Sequence, residues 1–424
     1  MLLKKKIVCI SGLVMLSAAM GVQAKEVVLR ALMEDVPETH IIEQMLPQFE
    51  KKTGIKVQFE KIGYGDMHDK LVSQLIAPQS YYNLLEVDFL WAGEFPTANW
   101  LTDLTPLIKK SKFDTQAFIP SMVSLLNHDP KKIYILPMYN YSMGLIYRTD
   151  LLADKTVAQQ YQAATQKPLA QPKTLEDYVT LAKFIKQTQG IAGAAMQGQR
   201  GDPNSMEFSN YLFAAGGEYL DGNNNVVLNS PAGKQALTLY VDAIKNAAQD
   251  GALSATLDDT MRLMCSGKAF SMITYWWMLP QLDNPKTCPA VAGKLALAPM
   301  PGGHGESGGW GWGIPKNVSP EEKQAAWTFI QWVQNKHVET ERALQGHAPV
   351  RADVYKDPAV LAKFPYYQTA EQVVATGKSF PIFTYSAQYE DVLGTQLSQV
   401  AGGNGSIDAA LAESATQLET LLKK

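Results

Sequence analysis

The sequence predicts an α/β protein of two lobes, each built on a mainly parallel sheet flanked by helices. After an apolar leader, the chain alternates strand and helix signals in the order β-α-β-α-β, which calls for parallel strands with helices on the sheet faces. A length of 424 residues suggests two domains or one large one. Yet no Pro- or Ser-rich linker divides it into halves, and no internal repeat is visible. Two domains without a linker imply that the chain crosses between lobes more than once, leaving a cleft with short crossing segments as hinges.

The elements follow in order. Residues 27–32 form a short apolar strand. Ile41, Ile42, Met45 and Phe49 then mark one face of a helix. It stops at Lys51-Lys52-Thr53-Gly54, where basic residues are followed by a glycine able to leave the helix. Residues 55–59 alternate as a strand. Met67, Leu71 and Leu75 place a helix over 66–76, and 84–90 reads as a third strand. Further on, Thr174 caps a helix that buries Tyr178, Leu181, Ala182 and Ile185. Ser230-Pro231 starts another, with Leu237, Tyr240, Val241 and Ile244 on one face. Ser319-Pro320-Glu321-Glu322 is a capping box opening a helix that turns Ala326, Phe329, Ile330 and Val333 inward. Residues 269–274 and 295–298 are late strands.

The leader changes the bulk arithmetic. Lys4, Lys5 and Lys6 precede an apolar run from Ile7 to Met20, and Val22-Gln23-Ala24 supplies small residues for cleavage after Ala24. The run is too short to span a bilayer. Cys9 sits too early to carry a lipid, so the mature protein is expected in the periplasm without a lipid anchor. Removing a leader with three lysines and no acid turns the formal charge of −3 into −6. An acidic surface argues against nucleic acid as a partner. Two cysteines then remain, Cys265 and Cys288, a candidate disulfide in an exported chain.

Catalytic signatures are missing: there is no GxSxG, HExxH, Walker A or GxGxxG following a strand, and no cofactor is called for. His304 and Glu306 are too few to make a metal site. What stands out is aromatic clustering beside polar residues: Tyr139-Asn140-Tyr141, Tyr275-Trp276-Trp277, Trp91 near Glu94, and Trp310 and Trp312 between glycines. Sugars account for that mixture, because a pyranose packs its C–H face on an aromatic ring and offers hydroxyls to polar groups. Adjacent strand residues point to opposite faces, so only one of Trp276 and Trp277 is expected in a cleft. The glycines around Trp310 suggest an exposed loop, and a Trp310→Ala change is expected to weaken binding while leaving the fold intact.

Several segments, in order, resemble the extracellular sugar-binding proteins of ABC importers, the family that includes maltose-binding protein. They are FEKKTGIKV (49–57), YGDMHDKL (64–71), VDFLWAGEF (87–95), LPMYNYSMGLIYRTDLL (136–152), AAGGEYLDGNNNVVLNSPAGKQAL (214–237), SGKAFSMITYWW (266–277), and GGWGWGIPKNV (308–318) running on to AAWTFIQWV (325–333). LIAPQSYYNLLEVD (75–88) departs from the family's usual Gly-x-x-Pro-Asp-Val pattern. The resemblance implies a type II periplasmic binding protein fold whose lobes are joined by about three crossing segments. It places residues 25–134 and 297–345 in the N-terminal lobe and 135–296 and 346–424 in the C-terminal lobe. It further implies a monomer without catalytic activity that closes on a carbohydrate and docks on permease subunits in the inner membrane. Trp91, Glu94, Tyr139, Trp277, Gly309 and Trp310 are the implied cleft residues, with Arg351 at the third crossing. Asp35, Asn140 and Tyr275 join them as candidate polar and aromatic contacts.

Other functions share parts of this pattern. A secreted glycoside hydrolase would show the same leader and aromatic cleft, with Glu94 and Asp35 cast as its carboxylate pair. A binding protein for a peptide or an anionic sugar derivative would use Arg148, Arg200 or Arg351.

Overall fold

The computed structural model describes residues 28–424 apart from His128 and Pro130, so the leader with Cys9 and Ala24 lies outside the described residues. The opening alternation folds into one sheet. Strand β1 (Val28–Glu34) pairs in parallel with β2 (Lys56–Ile62) and with β3 (Leu84–Asp88). Helices Pro37–Thr53 and Tyr64–Leu75 make the connections, the first ending at Gly54 with φ of 73° as its stop signal requires. Strand β4 (Ile135–Asn140) closes the far edge.

Four of the five strands run the same way, in the order β2-β1-β3-β8-β4, and β8 (Gly309–Gly313) runs against its neighbours. The glycines of β8 therefore belong to the middle of a sheet, and the expectation of an exposed loop is overturned. A side chain on Gly311 would meet Ile135 Cγ2 at 2.2 Å and the Leu136 carbonyl at 2.8 Å, so glycine is what lets β4 lie alongside.

The second lobe departs from the expected mainly parallel sheet. Its three strands, β6 (Ser271–Tyr275), β5 (Met143–Arg148) and β7 (Leu295–Ala298), pair antiparallel. Parallel pairing survives only as single bridges, at Ala192–Ala269, Ala194–Ala248 and Ala195–Met272. The cause is where the chain crosses. Strand β5 leaves the crossing point, whereas β7 must run back toward it to feed β8 in the other sheet. Strand β6 also runs toward the crossing and so delivers Tyr275 there.

The crossings lie side by side. Tyr141 and Met143 donate backbone hydrogen bonds to Gly308 and Glu306, and the Ser142 and Ser307 hydroxyls meet at 2.7 Å. A third stretch leads from the helix Pro320–Val333, packed on β1, to the helix Tyr367–Thr376, packed on β5 and β7. Three crossings thus join the lobes. The helices expected behind Thr174, Ser230 and Ser319 each carry the cap, with the reciprocal Ser319–Glu322 box formed. Cys265 and Cys288 are bonded, with Cα atoms 4.7 Å apart. No described helix is long and apolar enough to cross a membrane.

Candidate functional site

Parallel strands end where their helices begin, so side chains at those ends face the space between lobes. In the first sheet these are Glu34 at the end of β1, Asp88 at the end of β3 and Tyr139 near the end of β4. Because β8 runs the other way, its beginning lies at the same edge and brings Trp310 opposite both Asp88 and Tyr139. Across the gap stand Tyr275 at the end of β6, Trp277 in a short 3-10 turn, and Asp202 at the start of the helix Asp202–Ala214. These groups enclose a cavity of about 430 Å³ between the lobes, within the usual range for small-molecule sites.

The first wall is a layered stack of rings. Trp310 meets Trp91 edge-on at 5.4 Å and Tyr64 edge-on at 5.9 Å, and lies nearly parallel to Tyr139 at 6.4 Å. Trp91 in turn stacks on Tyr64 at 5.9 Å and on Phe95 at 5.8 Å. On the second wall Tyr275 and Trp277 stack at 6.0 Å with their planes 3° apart. Tyr141, in the first crossing, touches Tyr275 edge-on at 5.3 Å and so links the walls. Trp277 faces the cavity while Trp276 is core, its indole N–H donating to Asn140 Oδ1 at 2.9 Å.

The polar groups are mostly acids. Tyr64 and Tyr141 donate to the two oxygens of Asp88 at 2.7 and 2.6 Å. Burial nevertheless pushes Asp88 up to about 7, against those hydrogen bonds. Glu34 is pushed up to about 8, first by burial and then by the charges of Asp88 and Asp202. Asp202 is pushed up to about 6 by burial, and the buried Glu390 is raised well above the usual range, first by burial and then by the charge of Asp202. Glu306, fully buried in the second crossing, is raised well above the usual range by burial, then by Asp202 and Asp88. Among the described residues no cluster of His, Cys, Asp and Glu is suited to a metal ion.

The expected site residues divide. Asp35, Tyr139, Tyr275, Trp277 and Trp310 line the cavity, with Asp35 exposed and paired to His40 at 2.7 Å. Five others do not. Trp91 is shielded behind Tyr64 and Trp310. Glu94 turns away to His68 at 2.7 Å. Asn140 is fully buried and ties the crossings together, donating to the Pro349 carbonyl at 2.8 Å and to Tyr355 at 2.7 Å. Gly309 is a backbone partner of Asn140. Arg351 makes a two-pronged pair with Asp353, both bonds 3.0 Å. Residues missed in the sequence are Glu34, Tyr64, Asp88, Gln197, Asp202 and Asp258. Gly201-Asp202-Pro203 could have marked the start of a helix; the others carry no local signal.

Comparison with known proteins places the molecule. Residues 34–339 match the model for bacterial extracellular solute-binding proteins, and the chain belongs to that family. A protein of Sinorhizobium fredii named as a probable amino-acid ABC transporter periplasmic-binding protein is 24% identical over 322 residues, covering 75% of this chain and 71% of its own. The maltose-bound MalE3 protein of T. maritima superposes with a TM-score of 0.82 at 27% identity, covering 93% of this chain and 100% of its own. A solute-binding protein of Agrobacterium radiobacter K84 in complex with ribitol gives 0.81 at 26% identity, covering 93% and 98%.

Proposed function

We propose that this chain is the periplasmic capture subunit of an ABC importer, closing its two lobes on a carbohydrate and handing it to permease subunits in the inner membrane. The observation that carries this is the cavity between the lobes, walled by Trp310 and Tyr139 on one side and by the stacked Tyr275–Trp277 pair on the other. Rings on both sides can grip both faces of a sugar or polyol, and contacts to both lobes at once favour the closed form. The maltose and ribitol complexes of the two structural relatives support the same ligand class. The N-terminal lobe runs to about residue 140 rather than 134, because β4 pairs with β8 in the first sheet, and resumes near β8 rather than at 297, because Leu297 and Ala298 pair with β5 in the second sheet. Residues to about 345 complete it, and the remainder forms the C-terminal lobe. The mature protein begins after Ala24, carries no lipid, works as a monomer and catalyses no reaction; its Cys265–Cys288 bond suits an oxidising compartment.

The reading of an anionic ligand loses support. Arg148 is held by Asp150, Arg351 by Asp353, and none of Arg148, Arg200 and Arg351 lines the cavity. A thermal-shift screen of monosaccharides, oligosaccharides and polyols tests the proposal. A true ligand at a hundred times its Kd stabilises the protein by about 2.7 kcal/mol. A panel without any shift overturns carbohydrate capture, and release of a cleaved product from a glycan overturns the non-catalytic assignment.

A further inference from the structure

The cavity has an unusual balance of hydrogen-bonding groups. Glu34, Asp35, Asp88, Asp202 and Asp258 line it, and no lysine, arginine or histidine does. The hydroxyls of Tyr64 and Tyr141 are committed to Asp88, which leaves the Tyr275 hydroxyl and the amides of Gln197 and Gln281 among the side-chain donors in the lining. A neutral polyol presents each hydroxyl as both donor and acceptor and calls for both in return. This lining sets five carboxyls around the ligand space with no cationic side chain to balance them. An ammonium group has three donors and no acceptor, and it is drawn to the faces of aromatic rings. Tyr64, Tyr139, Tyr141, Tyr275, Trp277 and Trp310 supply such faces around the carboxylates.

A second observation points to hydroxyls on the ligand as well. The indole N–H of Trp277 is buried in this wall, 6% of the residue being exposed, and has no hydrogen-bond partner. A buried donor left alone is costly, and a ligand hydroxyl would satisfy it. A metal ion fits poorly, because among the described residues the carboxylates are not gathered into a group that could hold one.

From this we infer that the ligand carries a protonated amine beside its hydroxyls: an amino sugar or an amino polyol. The inference rests on the carbohydrate reading and narrows it. The acids are crowded by one another rather than relieved by cations. Glu34 feels Asp88 and Asp202, Asp88 feels Asp202, and Glu390 feels Asp202 and Asp88. An ammonium group entering the cavity replaces protons held by these carboxyls.

The test is calorimetric titration of the mature protein with matched pairs that differ only in amine against hydroxyl: glucosamine and glucose, galactosamine and galactose, 1-amino-1-deoxysorbitol and sorbitol. At least one amine is expected to bind tenfold or more tighter than its hydroxyl partner at pH 7, with protons released to the buffer. Asp202→Asn is expected to weaken that amine at least tenfold and the hydroxyl partner by a smaller factor. Hydroxyl partners binding as tightly as the amines, or more tightly, overturn the charge assignment and leave carbohydrate capture standing. If no member of any pair binds, the amine assignment falls, and carbohydrate capture stands or falls on the thermal-shift panel. The matched pairs are read on the unaltered protein, so their outcome does not depend on the variant folding.

Discussion

The two walls of the cleft are built differently. The wall on the first sheet rests on Trp310 in an interior strand, with Tyr64, Tyr139 and Trp91 locked around it and Phe95 behind Trp91. The wall on the second lobe rests on Tyr275 and Trp277, at the end of β6 and in a 3-10 turn, and Tyr275 is the only ring against Trp277 among the described residues. The first wall is a piece of hydrophobic core whose outer layer happens to face the cavity. The second presents two rings only, a buried Trp277 and a half-buried Tyr275, with fewer rings behind them. Preorganised rings lower the ordering cost of binding, so the first wall serves as a fixed platform and the second as the face that meets the ligand on closure.

This contrast predicts how substitutions divide between folding and binding. The largest effect belongs to Trp310→Ala, which removes a ring that is 3% exposed and packed on three others. It is expected to lower stability by about 3–5 kcal/mol in urea unfolding as well as abolishing tight binding. The sequence alone suggested a loss of binding with the fold intact; a stability loss below about 1 kcal/mol would restore that view and break the contrast between the walls.

The walls also differ in how strongly their acids are raised. Glu34 at about 8 and Asp88 at about 7, in the first wall, stand above Asp202 at about 6 in the second. A carboxyl whose pKa is raised by folding binds more protons folded than unfolded. Its contribution is unfavourable once the unfolded group ionises near pH 4, and stability falls as pH climbs through the folded value. The ligand-free protein is therefore expected to lose on the order of 2–3 kcal/mol between pH 5 and pH 8, since each tenfold change in a proton-binding equilibrium is worth about 1.4 kcal/mol and the acids titrate together. Glu34→Gln should flatten that decline in urea unfolding at the two pH values. An equally steep decline in Glu34→Gln would place its origin elsewhere.

Much of the fold could be read from residue order because its signals are local. Capping residues, glycine stops and apolar stripes gave the helices behind Thr174, Ser230 and Ser319 and the opening β-α-β-α-β run. Strand β8 was unreadable because glycine is a poor strand former on its own. Gly311 is required by its neighbour Ile135, far away in sequence. The antiparallel second sheet escaped for a similar reason: strand direction there follows from where the chain crosses between lobes.

The site was legible in its aromatic residues and illegible in its acids. Rings clustered in sequence at 139–141 and 275–277 also cluster in space. Glu34, Asp88 and Asp202 come from three separate elements, and nothing beside them in the sequence shows that they converge. The family resemblance implies Trp91 in the cleft, but Tyr64 from an earlier helix covers it. Asn140 and Arg351 are polar residues near the crossing whose partners, Pro349, Tyr355 and Asp353, hold the crossing together.

The most direct measurement is calorimetric titration of the best carbohydrate ligand into the wild type and Tyr275→Ala. Tyr275 is half-buried, with Trp277 on one face and Tyr141 at its edge. A cleft that grips its ligand between a core platform and a closing face predicts a loss of about 1–3 kcal/mol in binding, by analogy with other aromatic platforms. The melting temperature should stay within about 4 °C of wild type, since little core is removed. Unchanged affinity in a folded Tyr275→Ala protein would contradict a ligand held between the two walls.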